Sequence, residues 1–172
     1  MTVKRSNRYN IEQLTALVQA AENKRSPLIL QFFPSTLKQL PSLVWAAAAA
    51  RRTASVPISI HIDHAQNEDQ IREIVQNLPV DSVMVDMSHY DHAENLSKTK
   101  VLTKLCHEKG MAVEAESGRI NGGEDGIADT GDLEGNNHQE FLDYQNIAFG
   151  CIELIGYLLQ LYSQTHQKWR NS

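Results

Sequence analysis

The chain is poor in several features that would fix its class at once. It has two cysteines, Cys106 and Cys151, in 172 residues. They show neither C-x-x-C spacing nor a paired framework, which excludes a disulfide scaffold and predicts two buried, reduced thiols. Positive charge is not in excess: 16 Lys and Arg stand against 21 Asp and Glu, a net charge of −5. The basic residues are scattered, so no stripe can neutralise a phosphate backbone, and a nucleic-acid partner is not expected. The first eight residues, from Met1 to Arg8, lack the apolar core of a secretory signal. Even the most apolar stretch, residues 147–162, contains Glu153 and Gln160 and falls short of the roughly 20 residues that cross a bilayer. These absences predict a cytoplasmic protein with no membrane partner.

What the chain does have is a rhythm. Three apolar runs each close on acidic residues: Ile58-Ser59-Ile60-His61-Ile62-Asp63-His64, Ser82-Val83-Met84-Val85-Asp86-Met87-Ser88 and Met111-Ala112-Val113-Glu114-Ala115-Glu116-Ser117-Gly118. Asp63, Asp86 and Glu116 are spaced 23 and then 30 residues apart, with a helix-like segment before each run. That is the spacing of βα units in a parallel sheet or barrel, whose strands point one way and gather their C-terminal ends on one face. A fourth strand is predicted at 28–32, and helices at 11–24 (N-cap Asn10), 35–52, 68–78 (N-cap Asn67) and 93–109, the last stopped by Gly110. The expected fold is α/β, a partial (β/α)8 barrel of about four parallel strands with helices, followed by an unrelated C-terminal helix. A complete barrel needs about 250 residues, more than are present.

Alternation along the run at 58–63 puts Ser59, His61 and Asp63 on one side and Ile58, Ile60 and Ile62 on the other. Asp63 then takes the last inward position, with His64 at the exit from the strand. Glu114 and Glu116 also share a side, and two carboxylates there call for a cation or a water-filled site. Taken singly, His64 suits a hydrogen-bonded structural histidine as well as a metal ligand, and Asp86 suits a helix cap. After the last run, the segment from Gly118 to Gly126 holds four glycines and the adjacent acids Glu124 and Asp125. It is either a surface turn or a mobile active-site loop that carries Glu124 inward as an acid/base. It lacks the Lys-Ser or Lys-Thr of a phosphate-cradling loop.

The combination of His61-Ile62-Asp63-His64, Val83-Met84-Val85-Asp86-Met87-Ser88, Glu94-Asn95, Val113-Glu114-Ala115-Glu116-Ser117-Gly118-Arg119 and Gly122-Gly123-Glu124-Asp125-Gly126 resembles the class II, zinc-dependent fructose-bisphosphate aldolases of the fungal type, roughly from Tyr9 to Gly135. The resemblance implies a TIM barrel, reversible aldol cleavage of a sugar bisphosphate and a homo-oligomer, usually a dimer or tetramer. It makes Asp63 the acid/base at the substrate hydroxyl and His64 a zinc ligand. Asp86 and Glu116 would hold a second divalent or monovalent cation, and Glu124 would handle the proton at the enediolate carbon. Zn2+ on the carbonyl and hydroxyl oxygens would stabilise the enediolate in place of a lysine Schiff base.

Two features of that family are not found. Its later His-Gly zinc ligands and its glycine-rich phosphate grip have no counterpart, and no first strand or helix is legible ahead of Tyr9. The expected organisation is a partial aldolase barrel at 1–135 and a divergent helical tail at 136–172, the latter pointing to an altered gene model. The alternative to an active lyase is an inactive aldolase-like fragment that serves as an interaction or regulatory module, pairing with intact aldolase subunits. The apolar tail helix, around residues 152–159, is expected to cover the open sheet or drive self-association.

Overall fold

The computed structural model describes residues 4–7 and 10–116. Five strands, β1 (Lys4–Asn7), β2 (Leu28–Phe32), β3 (Ile58–Ala65), β4 (Ser82–Val85) and β5 (Ala112–Ala115), form one sheet in the order β1-β2-β3-β4-β5. All neighbouring pairs are parallel. Each strand therefore lies beside its neighbour in sequence, the order of a (β/α)8 barrel; a doubly wound sheet would reverse direction partway. The four expected strands are present, and β1 adds a fifth. The expectation of no strand ahead of Tyr9 is corrected: Lys-Arg-Ser-Asn has no hydrophobic signature, and only pairing with Leu28 to Gln31 defines it as a strand.

Between the strands run α1 (Ile11–Lys24), α2 (Pro34–Gln39), α3 (Ser42–Thr53), α4 (Glu68–Asn77) and α5 (His92–Glu108). The caps follow from sequence. Asn10 accepts from the Gln13 N–H and Asn67 from the Gln70 N–H, each bond contributing about 1 kcal/mol. Beyond α5, Gly110 N–H bonds the His107 carbonyl and Met111 N–H bonds that of Cys106, with Gly110 at φ 72°. This double bond is the Schellman stop that a glycine past a helix end makes cheap.

One helix expectation is corrected. The predicted single helix at 35–52 is two helices, because Pro41 cannot donate an N–H and drives Leu40 out of helical geometry, to φ −147° and ψ 69°. On α5 the inward stripe is Asn95, Thr99, Leu102, Thr103 and Cys106, while Val101 is 53% exposed. Asn95 and Thr99 tolerate burial because they bond each other, Thr99 Oγ1 to Asn95 Oδ1 at 3.0 Å, and because Asn95 Nδ2 donates to the Glu116 carbonyl at 3.1 Å.

Register assigns the two sides of the sheet. Leu28, Leu30 and Phe32 lie level with Ile58, Ile60 and Ile62, and Val83 with Ile62 and Val113. These residues join Leu14, Leu43, Val44, Ala47, Ile71, Ile74, Val75, Leu102 and Cys106 from the helices in one core. The opposite side carries Ile29, Gln31, Ser59, His61, Ser82, Met84 and Glu114. At the N-terminal ends of the strands, Asp81 accepts from the Arg51 guanidinium through both oxygens and from the Ile60 N–H at 2.8 Å, tying α3 to β3 and β4. Cys106 is a free, buried thiol, and burial pushes its pKa up to about 12, so it is inert packing material. Cys151, the tail at 136–172 and its helix lie outside the described residues. No helix of the described residues is long and apolar enough to cross a membrane.

Candidate functional site

Parallel strands deliver the predicted residues to one edge of the sheet. Asp63 lies near the end of β3, Asp86 directly follows β4 and Glu116 directly follows β5. Glu116 N–H reaches the Val85 carbonyl at 3.4 Å, and Asp86 N–H bonds the Ala65 carbonyl at 3.0 Å, so the three strand ends are knitted together. β3 runs two residues past Asp63, and its pairing with β4 shifts register between Ile62 and Ala65. Within that shift His64 takes a left-handed backbone, φ 50°. A non-glycine residue held there costs on the order of 1 kcal/mol, and such bulges re-aim a side chain at sheet rims.

The side chains fall into two groups. In the first, Asp63 Oδ2 accepts from Gln31 Nε2 at 3.0 Å. Below it, His61 is fully buried with Nδ1 2.7 Å from Ser82 Oγ. Its Nε2 lies 3.5 Å from Glu114 Oε2 and 3.8 Å from Asp63 Oδ1, within ion-pair reach but without a hydrogen bond. Ser59 Oγ, also buried on this side, has no hydrogen-bond partner among the described residues. In the second group, His64 Nδ1 meets Asp86 Oδ2 at 3.1 Å, and Gln66 Nε2 donates to the same oxygen at 2.9 Å. Ser88 donates to Asp86 Oδ1 through its N–H at 3.1 Å and its Oγ at 2.6 Å.

Burial works to raise the Asp86 pKa, but the hydrogen bonds from His64, Ser88 and Gln66 outweigh it and hold the carboxyl at about 2. Asp86 is thus an anion that can only accept, so His64 Nδ1 carries the hydrogen of their contact. A metal-binding histidine oriented by a carboxylate has this form. Among the described residues no group of three His, Cys, Asp or Glu comes together to hold a metal. A catalytic zinc usually takes three protein ligands, so these residues fit one ligand of such a centre, His64, and not the whole of it.

The structure brings His64 and Asp86 into contact, and Asp63 meets Gln31 and lies near His61. Glu116 is placed at the neighbouring strand end, and its main chain is bonded to Val85 and Asn95. Glu124 and its glycine-rich loop lie outside the described residues. Sequence reasoning did not single out Gln31, Gln66 and Ser88 as parts of the site. A signal existed for Ser88, since an Asp two residues before a Ser is the pattern of a turn in which the carboxylate caps the following N–H. Gln31 and Gln66 had none, because only strand pairing shows what they face.

A family model described as fructose-bisphosphate aldolase class-II matches residues 1–148. A protein of Coccidioides immitis bearing the name "Putative fructose-bisphosphate aldolase" is 48% identical over 135 residues, 74% of this chain and 45% of that protein. A crystal structure of a Coccidioides immitis protein described in the same terms is similar with a TM-score of 0.77 at 45% identity, covering 83% of this chain and 51% of the other. The YdjI aldolase from Escherichia coli K12 shares the fold at 23% identity, with a TM-score of 0.68 over 85% of this chain and 51% of its own. The chain therefore spans about half the length of the relatives it matches.

Proposed function

The chain belongs to the class-II fructose-bisphosphate aldolase family, and from that premise we propose that it supplies the proton-transfer half of a metal-dependent site. The reaction is reversible cleavage of fructose 1,6-bisphosphate to dihydroxyacetone phosphate and glyceraldehyde 3-phosphate, a step of cytoplasmic glycolysis and gluconeogenesis. The observation that carries this reading is the array at one sheet edge: Asp63, the His64–Asp86 pair and Glu116 on three successive parallel strands.

Cleavage requires a base at the hydroxyl that becomes the aldehyde. As that proton leaves, the new carbonyl forms, the neighbouring carbon–carbon bond breaks, and its electron pair passes to the ketone fragment as an enediolate. Asp63 would take the proton; Gln31 Nε2 holds one of its oxygens, and the side chain is 13% exposed at the strand end. Glu124 would return a proton to the enediolate carbon. His64 would hold Zn2+, a Lewis acid for the developing charge, together with ligands beyond the described residues. Asp86 and Glu116 stand as the expected neighbours of a second cation. A homo-oligomer, or pairing with intact aldolase subunits, belongs to the same reading and is measured by light scattering.

The test is a chimera in which residues 10–116 replace the matching stretch of the Coccidioides immitis protein, with the unaltered relative assayed alongside. Chelator-sensitive cleavage of fructose 1,6-bisphosphate is expected. Asp63→Ala in that background should lower kcat by about 100-fold or more, the usual worth of a positioned acid/base. A folded, zinc-loaded chimera that leaves the sugar intact while its parent cleaves it would refute the assignment.

A further inference from the structure

His61 is fully buried, and strand pairing fixes what it meets. It stands level with Ser82 across β3 and β4, and its Nδ1 lies 2.7 Å from Ser82 Oγ. A serine hydroxyl has one hydrogen to give. Ser82 is itself buried, and its hydroxyl has no other hydrogen bond among the described residues. If Nδ1 carried the ring hydrogen, the hydroxyl could only accept, and its own hydrogen would be buried without an acceptor. The ring would also turn a bare Nε2 lone pair towards Glu114 Oε2 at 3.5 Å and Asp63 Oδ1 at 3.8 Å. With the hydrogen on Nε2 both faults disappear. Ser82 then donates to Nδ1, and Nε2–H faces the gap between two carboxylate oxygens.

We propose that His61 is a positioning residue for Asp63: held by Ser82 as the Nε2–H tautomer, it restrains Asp63 Oδ1 while Gln31 Nε2 restrains Oδ2. At 3.8 Å the pull is electrostatic, and burial leaves little water to screen it. The same hydrogen faces Glu114, so it links the strand that carries the base to β5. A base works only when its carboxylate is held in line with the proton it removes. The inference rests on the reading of Asp63 as the base only for what the restrained carboxylate does. The tautomer and the restraint stand on register and contacts within this chain.

The test is NMR of the full 172-residue chain, labelled at histidine and aspartate, with long-range proton–nitrogen spectra for the ring. His61 is expected as the Nε2–H tautomer. His61→Asn, whose amide can meet Ser82 in place of Nδ1 but falls short of the carboxylates, should shift the Asp63 carboxyl-carbon signal. The signal of Asp91, at the cap of α5, should stay in place. His61→Gln, whose longer amide puts a donor where Nε2 stood, should return the Asp63 signal towards its parent position, a rescue that a packing role would not give. Asp63→Asn reads the same contact from the other end. It should shift the His61 Nε2 resonance, and it decides the matter if the His61 variants do not fold. A ring hydrogen on Nδ1 in the parent overturns the proposal, as does an unmoved Asp63 signal in folded His61→Asn or no recovery in folded His61→Gln. So does a His61 resonance that responds to Glu114→Gln but not to Asp63→Asn. None of these signals depends on turnover. A chimera that fails to cleave fructose 1,6-bisphosphate would count against Asp63 as the base, while the signals decide whether His61 positions it.

Discussion

The two sides of the same sheet are built on opposite principles. Towards the helices, Leu30, Phe32, Ile58, Ile60, Ile62 and Val83 are buried against apolar neighbours, with no polar side chain among them. On the other side, Ser59, His61 and Ser82 are equally buried, yet Ser59 Oγ and His61 Nε2 have no hydrogen-bond partner among the described residues. Alternate residues of one strand, β3, thus do different work: the odd positions Ser59, His61 and Asp63 lead to the candidate chemistry, and the isoleucines between them hold the strand in place. Burial alone does not tell a stabilising position from a functional one.

If that division is right, the largest effect should appear in turnover. The polar side supplies Asp63 and a single oriented histidine, so the purified chain with added Zn2+ is expected to give no detectable cleavage of fructose 1,6-bisphosphate in a coupled assay. Zinc-dependent turnover by this chain would mean that residues outside the described ones complete the site.

On the helix side the largest stability change is expected from Ile60→Ala. Ile60 is fully buried, and the truncation should cost about 2–5 kcal/mol in a denaturant titration. A cost below about 1 kcal/mol would show that this face is not the stabilising one.

Asp86 comes next. Its folded pKa of about 2 lies below the ordinary carboxylate value of 3.8, so it contributes stability that is present above pH 4 and lost as pH falls from about 4 towards 2. The shift corresponds to about 2 kcal/mol. Asp86→Asn should remove that segment of the acid unfolding curve; a curve of unchanged slope between pH 4 and 2 would contradict the assignment.

The smallest change sharpens the comparison through its sign. Ser59→Ala deletes a buried hydroxyl with no partner among the described residues, so it should leave stability unchanged or raise it by up to about 1 kcal/mol. A loss of more than about 1 kcal/mol on melting would mean that Ser59 Oγ is satisfied after all.

Much of this was legible from local chemistry. The caps at Asn10 and Asn67, the stop at Gly110 and the strand at Leu28–Phe32 follow from residues close in sequence, because a cap or an apolar alternation is a local interaction. The errors were also physical in origin. Pro41 divides a helix that the alanine-rich composition of 43–50 favours, and β1 has no hydrophobic pattern of its own. On α5, hydrogen bonds let Asn95 and Thr99 occupy the inward stripe while Val101 is exposed.

The sequence by itself determined that acidic residues close three apolar runs at intervals suited to βα units, and hence that Asp63, Asp86 and Glu116 would reach one edge of a parallel sheet. Period-two alternation and a common strand direction are enough for that. Only the tertiary structure decided the partnerships: Gln31 on Asp63, His61 between Ser82 and Glu114, and Gln66 with Ser88 bracing the Asp86 that meets His64. Several of these pairs lie 20 to 32 residues apart and depend on strand register, on one bulge and on a left-handed backbone at His64. A one-residue shift in register would turn each side chain to the opposite face; the isoleucines of β3 fix which face is apolar, but which residues then meet across the strands is set by the pairing.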